Sequence, residues 1–428
     1  MCERRGVQIG RKRIAVFFSV CLLALSSMCR PPTQFDDEPC APYDFGLPAD
    51  VAPPPQPLGV CITPERVALG RRLFYDQRLS RDNNQSCATC HIQRLGFTDG
   101  LARSRGSTGE IHPRNSQGLA NAGYFTSLTW FNPELNRFDN QALIPFFSEN
   151  TPTTIEELAI SGMEWVVTRR LKDDPRYPAM FVAAFPTRDL SPDSDPDEVA
   201  KIMHISHIAR ALAAFQATLV SYRSAYDRGE LSASARRGLA LFDSMERTGC
   251  RNCHSGPSLN LDAGENGTLN FHNVGLYNLG PHGDYPDHFL HGPRIAPRQT
   301  QGLFLVTRKP DDRGKFRTPS LRNVAVTGPY MHDGSIATLA GVIDHFNAGG
   351  RLIAGGPLAG DGRRNPNKDP GVRALNLSAA ERADLLEFLK SLTDECFLTD
   401  PRFSDPEQPP PKQPAHCAPL SNPLSATN

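Results

Sequence analysis

Cys87-Ala88-Thr89-Cys90-His91 and Cys250-Arg251-Asn252-Cys253-His254 repeat one pattern, Cys-x-x-Cys-His, within a chain of 428 residues. The two thiols of such a motif can add to the two vinyl groups of haem, and the histidine that follows can ligate the iron. The composition predicts roughly 0.008 chance matches to the pattern. A zinc site or a redox dithiol is the alternative, but zinc would need further Cys or His pairs at matched spacing. The sequence therefore predicts two covalently bound c-type haems.

The same local layout precedes both motifs. Thr63 and Ser232 are candidate N-caps of two apolar-faced helices. GRRLF at 70–74 stands before the first motif much as GLALF at 238–242 stands before the second. This similarity predicts two cytochrome c-like haem domains related by an internal repeat.

The remaining chain favours helices over strands. The apolar spacing predicts a long buried helix over 199–226, a second helix over 156–171 and a last helix that Ser378 caps. No long run alternates polar and apolar residues, so the predicted fold class is mainly α.

The N-terminus has the pattern of an export signal. A basic region precedes an apolar stretch at 14–25 that is short for a transmembrane helix. Cleavage before Cys29 would make that residue a candidate lipidation site, and a single membrane anchor is the alternative. The sequence thus predicts a periplasmic protein with no membrane span in the mature chain. Five segments are expected: a signal peptide at 1–29, a proline-rich linker at 30–60, an N-terminal peroxidatic haem domain at 61–228, a C-terminal haem domain at 229–403 and a proline-rich tail at 404–428.

Charge and cysteine content narrow the setting further. Lysine plus arginine and aspartate plus glutamate both number 46, so nothing in the charge balance indicates a nucleic-acid partner. Apart from the motifs and the signal, Cys40, Cys61, Cys396 and Cys417 remain. In an exported chain they can form two disulfides in any of three pairings. Pairing of sequence neighbours, Cys40 with Cys61 and Cys396 with Cys417, would place one disulfide at each of the two proline-rich ends.

Several stretches together resemble a known family between residues 58 and 403. They include GRRLFYDQRLSRDNNQSCATCH (70–91), STGEIHPRN (107–115), LTWFNPELNRFDNQALIPFF (128–147) and RTPSLRNVAVTGPYMHDGSIATL (317–339). The chain resembles the bacterial di-haem cytochrome c peroxidase superfamily. Within it, the chain is similar to the di-haem members of the metallo-mystery pair systems and to the tryptophan-modifying enzyme that matures methylamine dehydrogenase.

The resemblance implies roles for individual residues. His91 and His254 correspond to the proximal iron ligands, and Trp130 to a tryptophan between the two haems that can relay an electron. A core aromatic is the alternative for Trp130. Gln141 matches a glutamine of the distal pocket, on the side of the haem that meets peroxide.

The family also has a distal glutamate, which can move a proton between the peroxide oxygens. Glu149 and Glu156 both lie near its place, and Glu149 is preferred because Glu156 can instead belong to the first turn of a helix. Asn115, Thr327 and the carbonyl of Pro329 match a calcium site between the haems. All three offer oxygen, but they are neutral, so water would have to complete the shell.

One position departs from the family pattern. Phe346 stands where the peroxidases carry Met and the tryptophan-modifying enzymes carry Tyr, and Phe cannot ligate iron. Three outcomes follow for the second haem. His345 can turn inward as its distal ligand, Met331 can supply sulfur, or the iron has an open or water-bound face.

These observations leave three functions open. The first is an enzyme that uses hydrogen peroxide to form high-valent haem and then oxidises a Trp or Tyr of a partner by long-range electron transfer; the partner would be a small exported copper-binding protein. The second is a cytochrome c peroxidase that takes electrons from a small redox protein. The third is a non-enzymatic di-haem electron carrier.

Overall fold

The computed structural model describes residues 40–48, 51–54, 60–147, 157–187, 189–191, 193–260, 270–286, 301–356 and 358–417. Helices dominate these ranges, as the sequence predicts. The α-helices are α1 Pro64–Tyr75, α2 Cys87–Cys90, α3 Phe138–Ala142, α4 Ile144–Phe147, α5 Glu164–Lys172, α6 Arg176–Ala184, α7 Pro196–Val199, α8 Ile205–Ala217, α9 Ala233–Asp243, α10 Phe304–Thr307, α11 Leu339–Asn347, α12 Ala379–Lys390 and α13 Glu395–Leu398.

Shorter elements join them. The strands form two antiparallel pairs, β1 Phe271–His272 with β2 Phe316–Arg317, and β3 Leu352–Ile353 with β4 Gly360–Asp361. The 3-10 turns are Gln77–Leu79, Gln93–Leu95, Ala122–Tyr124, Ala200–Ile202, Cys250–Asn252, Pro310–Asp312, Val324–Val326 and Gly362–Arg364.

Helix α1 packs closely on α8 ahead of the first motif. The Thr63 hydroxyl accepts a hydrogen bond from the Arg66 amide at 3.2 Å, which confirms Thr63 as the N-cap. A Cβ atom at Gly70 would lie 1.8 Å from the Ala211 carbonyl oxygen of α8, so only glycine fits there. Phe74 then packs edge-on against Phe215, with 5.2 Å between the ring centroids. The first motif packs against this pair of helices through α1.

Helices α9 and α12 repeat this contact ahead of the second motif. Ser232 caps α9 and Ser378 caps α12, as predicted. A Cβ atom at Gly238 would lie 2.0 Å from the Asp384 carbonyl oxygen, the counterpart of the contact at Gly70. The internal repeat of two whole domains stays a prediction, as do the domain bounds.

Two predicted helices have different bounds. The prediction over 199–226 was wrong at both ends, because α8 begins at Ile205 and ends at Ala217. Beyond the helix, the Ser221 amide donates a hydrogen bond to Asn121 Oδ1 at 2.6 Å. The prediction over 156–171 was also wrong, since α5 begins only at Glu164. Ala159 has a φ of +55°, a left-handed conformation that interrupts a right-handed helix.

The spare cysteines are paired between sequence neighbours. Cys40 bonds Cys61 and Cys396 bonds Cys417, with Cα atoms 5.3 and 5.4 Å apart. This confirms the pairing that joins each proline-rich end. The predicted signal peptide, Cys29 and most of the linker lie outside the described residues, and so does the end of the tail. Within the described ranges, no helix is long and apolar enough to cross a membrane.

Candidate functional site

The first haem motif forms one short helical turn that places its histidine. Helix α2 carries both thiols, and the His91 amide donates to the Cys87 carbonyl at 2.9 Å. The His91 Nδ1 atom lies 2.7 Å from the Phe97 carbonyl oxygen. A carbonyl only accepts, so Nδ1 carries the proton and Nε2 keeps its lone pair. This is the tautomer that an iron ligand needs.

The second motif has the same internal hydrogen bonds. The His254 amide donates to the Cys250 carbonyl at 2.9 Å, and His254 Nδ1 lies 2.9 Å from the Leu259 carbonyl oxygen. Burial lowers the pKa of His254 to about 4, so the ring stays neutral and able to ligate a metal. The two motifs therefore offer equivalent histidines although their local helices differ.

The four motif thiols are free, as attachment to vinyl groups requires. Burial raises the pKa of Cys87 and of Cys90 to about 12, so both are held uncharged. The residues present thus fit two haem groups, with Cys87 and Cys90 holding one and Cys250 and Cys253 holding the other.

A cavity opens beside the first motif. About 1250 Å³ there is not filled by protein atoms, counting the open mouth. The walls include the motif and the side chains that can act on a bound molecule: Cys87, Cys90, His91, His112, Trp130, Gln141 and Glu157. Gln141 thus lines the same cavity as His91, and its role in the distal pocket stays a prediction. Glu149 and Glu156 lie outside the described residues.

Glu157 is the carboxylate that lines this cavity. Its Oε1 atom lies 3.2 Å from His112 Nε2, and its carbonyl accepts the Ser107 amide proton at 2.8 Å. Burial raises the pKa of Glu157, although His91 and Arg114 act in the opposite direction. Burial, aided by Arg114, lowers the pKa of His112 to about 4. Both shifts favour the uncharged forms, in which the two side chains can share one hydrogen bond without a buried charge.

Trp130 lies between two cavities. It lines the one beside the first motif and a second one of about 600 Å³ that reaches Thr327 and Pro329. The side chain is buried, and its indole N–H donates to the Asn115 carbonyl at 2.8 Å. The backbone amide of Arg317 donates a hydrogen bond to the Trp130 carbonyl oxygen at 2.8 Å. The ring is therefore fixed in one orientation.

The three residues of the implied calcium site meet at the second cavity. Asn115, Thr327 and Pro329 all line it. The side-chain Nδ2 of Asn115 donates to the Leu101 carbonyl at 2.8 Å. The Oδ1 atom of Asn115 takes no part in that bond. The Thr327 hydroxyl lies 3.2 Å from the Val324 carbonyl oxygen. The donors are neutral oxygens, which suit a hard cation only with water in the remaining positions.

The candidate distal ligands of the second haem are dispersed. His345, on α11, is 6% exposed, and its Nε2 atom lies 2.9 Å from the Val274 carbonyl oxygen. Its Nδ1 atom is buried and has no partner among the described residues. Phe346 is half-buried and edge-on to His345. Met331 lines the second cavity near Trp130.

A hydrogen-bonded pair flanks the second motif. His272 Nδ1 lies 2.6 Å from Asp369 Oδ2, and Nε2 lies 2.7 Å from Asn270 Oδ1. Burial acts to lower the pKa of His272, but the hydrogen bond with Asp369 acts to raise it. The sequence did not indicate this pair.

Sequence reasoning missed Glu157 and His112. Glu157 directly follows the candidate Glu156, and the unusual spacing in this segment did not indicate that Glu157 lines the cavity. His112 comes 45 positions earlier, so only the folded chain brings it beside Glu157. The Arg-Asn pair that follows at 114–115 was the one available signal, because it belongs to the stretch that carries the resemblance.

Comparisons with known proteins agree on one family. The profile described as di-haem cytochrome c peroxidase matches residues 64–234. The cytochrome-c peroxidase IdrP1 of Denitromonas iodatirespirans is 34% identical over 83% of this chain and 89% of its own length. The methylamine utilization protein MauG of Methylorubrum extorquens is 33% identical over 80% and 82%. A solved MauG-like protein associated with microbial copper homeostasis is 41% identical, with a TM-score of 0.75 over 86% of this chain and all of that one.

Proposed function

The chain belongs to the di-haem cytochrome c peroxidase family, and we propose that it uses hydrogen peroxide to oxidise a Trp or Tyr side chain of a partner protein. It is a peroxidase-type oxidoreductase with two haem c groups. Phe346 favours oxidation of a partner residue over a conventional peroxidase. A peroxidase that draws electrons from a small redox protein needs an iron ligand at this position, on the haem that receives those electrons. The Phe side chain offers no ligand atom.

The residues around the first cavity suit peroxide chemistry. A haem held by Cys87, Cys90 and His91 would supply an iron at which peroxide could bind. Glu157 could then give the proton of its neutral carboxyl group to the peroxide oxygen that leaves as water, and accept the proton of the other oxygen. The nearby His112 holds the carboxyl group for this transfer at 3.2 Å. Gln141, on the same wall, can orient the peroxide by hydrogen bonding.

Trp130 links this chemistry to the second site. It borders both cavities and its ring is fixed by the Asn115 carbonyl. The oxidising equivalents can thus spread toward the second haem, which lies on the side of Cys250 and His254. A partner residue can then be oxidised without entering the peroxide cavity.

Two further proposals concern the setting. We assign Asn115, Thr327 and Pro329 to a calcium ion that stiffens the region between the haems, because they share one cavity and offer only oxygen. The protein works in the periplasm, in keeping with its two disulfides, which persist in oxidising compartments.

A conventional peroxidase is the second candidate function. The name of the relative IdrP1, 34% identical to this chain, favours it. In that case a small redox protein would be the electron donor and peroxide the final acceptor. The two candidate functions differ in whether a residue of the partner protein is chemically modified.

The test combines the haem-loaded protein with hydrogen peroxide and a candidate partner, a small exported copper-binding protein. Mass spectrometry of the partner should show shifts of whole oxygen atoms on a Trp or Tyr. The Trp130→Phe variant should form this product more slowly, while a change in haem absorption on adding peroxide persists.

Other outcomes decide against the proposal. Rapid oxidation of reduced cytochrome c with no partner modification would establish the conventional peroxidase. If the absorption spectrum does not change when peroxide is added, the remaining function is that of a non-enzymatic electron carrier.

A further inference from the structure

A buried aromatic cluster lies beside Trp130 and has no part in the proton handling described above. Its members pack together with little exposed surface: Trp130, Phe131, Leu276, Tyr277, Tyr285 and Phe316. Two of them are tyrosines, which can be oxidised by one electron. The cluster therefore contains groups that the oxidising equivalents from peroxide can reach.

Hydrogen bonds connect Trp130 to His332 through the backbone of one residue, Asn115. The indole N–H donates to the Asn115 carbonyl, and the Asn115 amide donates to the His332 carbonyl, both at 2.8 Å. The His332 ring lies flat on Phe316, with 3.7 Å between the centroids and 12° between the planes. Trp130 is thus joined to a stacked pair of rings by short contacts.

The two tyrosines continue the path. The Tyr285 ring lies 6.1 Å from His332 and 5.6 Å from Tyr277 between centroids. Both tyrosine side chains are almost fully buried. Each step of this path is a contact between aromatic rings, a hydrogen bond or a run of covalent bonds within Asn115 or His332.

Tyr277 has a carboxylate as its proton acceptor. Its hydroxyl donates to Asp333 Oδ2 at 2.6 Å. The Ser335 amide donates to the other carboxylate oxygen of Asp333 at 3.0 Å and fixes its orientation. Burial raises the pKa of Tyr277 above its ordinary range, and the charge of Asp333 raises it further. Tyr277 is therefore a neutral phenol at rest.

We propose that Tyr277 is a redox-active tyrosine and that Asp333 is its proton acceptor. One electron leaves the phenol toward Trp130 and reduces an oxidising equivalent that peroxide has supplied at the haem sites. The O–H bond breaks, and the proton binds Asp333 Oδ2. An electron from the partner residue later restores Tyr277, and Asp333 returns the proton. This inference rests on the peroxide-driven function proposed above.

A second tyrosine provides a matched control. The Tyr177 hydroxyl donates to Asp76 Oδ2 at 2.5 Å, so it makes the same kind of bond. Tyr177, on α6, packs within the cluster that contains α1 and α8 rather than beside Trp130. Oxidation that depends on the aromatic path should therefore distinguish Tyr277 from Tyr177.

The experiment adds hydrogen peroxide to the haem-loaded protein without partner, freezes it and records electron paramagnetic resonance. We expect a tyrosyl radical whose hyperfine splitting changes when ring-deuterated tyrosine is supplied during growth. Tyr277→Phe should abolish the radical signal, and Asp333→Asn should remove most of it because an amide does not accept the proton. Tyr177→Phe should leave the signal unchanged.

The outcomes separate this inference from the proposed function. If peroxide changes the haem absorption but no tyrosyl signal forms, Tyr277 is not a redox site and the proposed function stands. A signal that persists in Tyr277→Phe overturns the inference equally. If haem absorption does not respond to peroxide, both ideas fail. The deuterium measurement uses the unsubstituted protein, so it decides whether the radical is on a tyrosine even if a variant does not fold.

Discussion

At the scale of single residues, burial sets the proton chemistry of the first cavity. Glu157 and His112 face each other across 3.2 Å, and burial shifts both toward their neutral forms. A carboxyl group with a raised pKa releases its proton less readily than an exposed one. It is therefore better matched to a step that must accept a proton and return it.

Glu157→Gln should slow the reaction with peroxide by about 100-fold or more, the usual contribution of a general acid or base. The amide keeps the shape of the side chain but cannot take a proton. Stopped-flow absorbance of the haem bands at varied peroxide concentration measures the rate. Glu164→Gln is the control, since Glu164 lies seven positions later at the start of α5. A variant rate equal to the wild-type rate would remove Glu157 from the mechanism.

His345 provides the second prediction at this scale. Its contact with the Val274 carbonyl opposes an inward turn, so we expect the second haem to have no histidine on its distal face. His345→Ala should leave the high-spin and low-spin signals of the reduced protein unchanged. Magnetic circular dichroism measures them. Loss of a low-spin signal in the variant would identify His345 as the ligand instead.

At the scale of elements, two glycines set the approach of the helices beneath the motifs. Gly70 brings α1 onto the backbone of α8, and Gly238 brings α9 onto that of α12. Neither contact leaves room for a methyl group. The helices would have to separate, and each carries the segment that leads into a haem motif.

Gly70→Ala should destabilise the protein by about 1–3 kcal/mol or more, because the added carbon forces the packed helices apart. The expected result is a lower urea midpoint for loss of helical circular dichroism in the haem-loaded protein. Gly355→Ala is the control, since nothing lies within 4 Å of a Cβ atom there. Equal midpoints for Gly70→Ala and wild type would show that α8 can move without cost.

The limits of prediction from sequence also appear at this scale. The starts of α1, α9 and α12 were predictable because a hydroxyl caps the helix within three residues of its own position. The end of α8 was not predictable, because the apolar pattern continues past it. The Ser221 amide there donates a hydrogen bond to Asn121, which lies about 100 residues away in the sequence.

The candidate site divides in the same way. The attachment cysteines and the proximal histidines follow from five consecutive residues in each motif. The proton partners do not, since the glutamate and histidine of the first cavity come from separate segments. Only the folded chain shows that it is Glu157 that faces His112.

At the scale of the whole molecule, histidines kept neutral by burial couple folding to pH. Burial lowers the pKa values of His207, His332 and His345 to about 4. Each binds its proton more weakly in the folded than in the unfolded chain. Between about pH 6.5 and pH 4 the unfolded state therefore holds more protons, and stability must fall as the pH falls.

His207 isolates this effect because it lies apart from both haem motifs. Its ring is 6% exposed and stacks on Phe185, with 4.0 Å between centroids. The shift corresponds to up to about 3 kcal/mol, present above pH 6.5 and lost on acidification toward pH 4. In His207→Gln, the fall in the free energy of unfolding across this window should be smaller than in wild type, as urea titrations of the haem-loaded protein at several pH values would show. Parallel curves for the two proteins would mean that His207 titrates normally in the folded state.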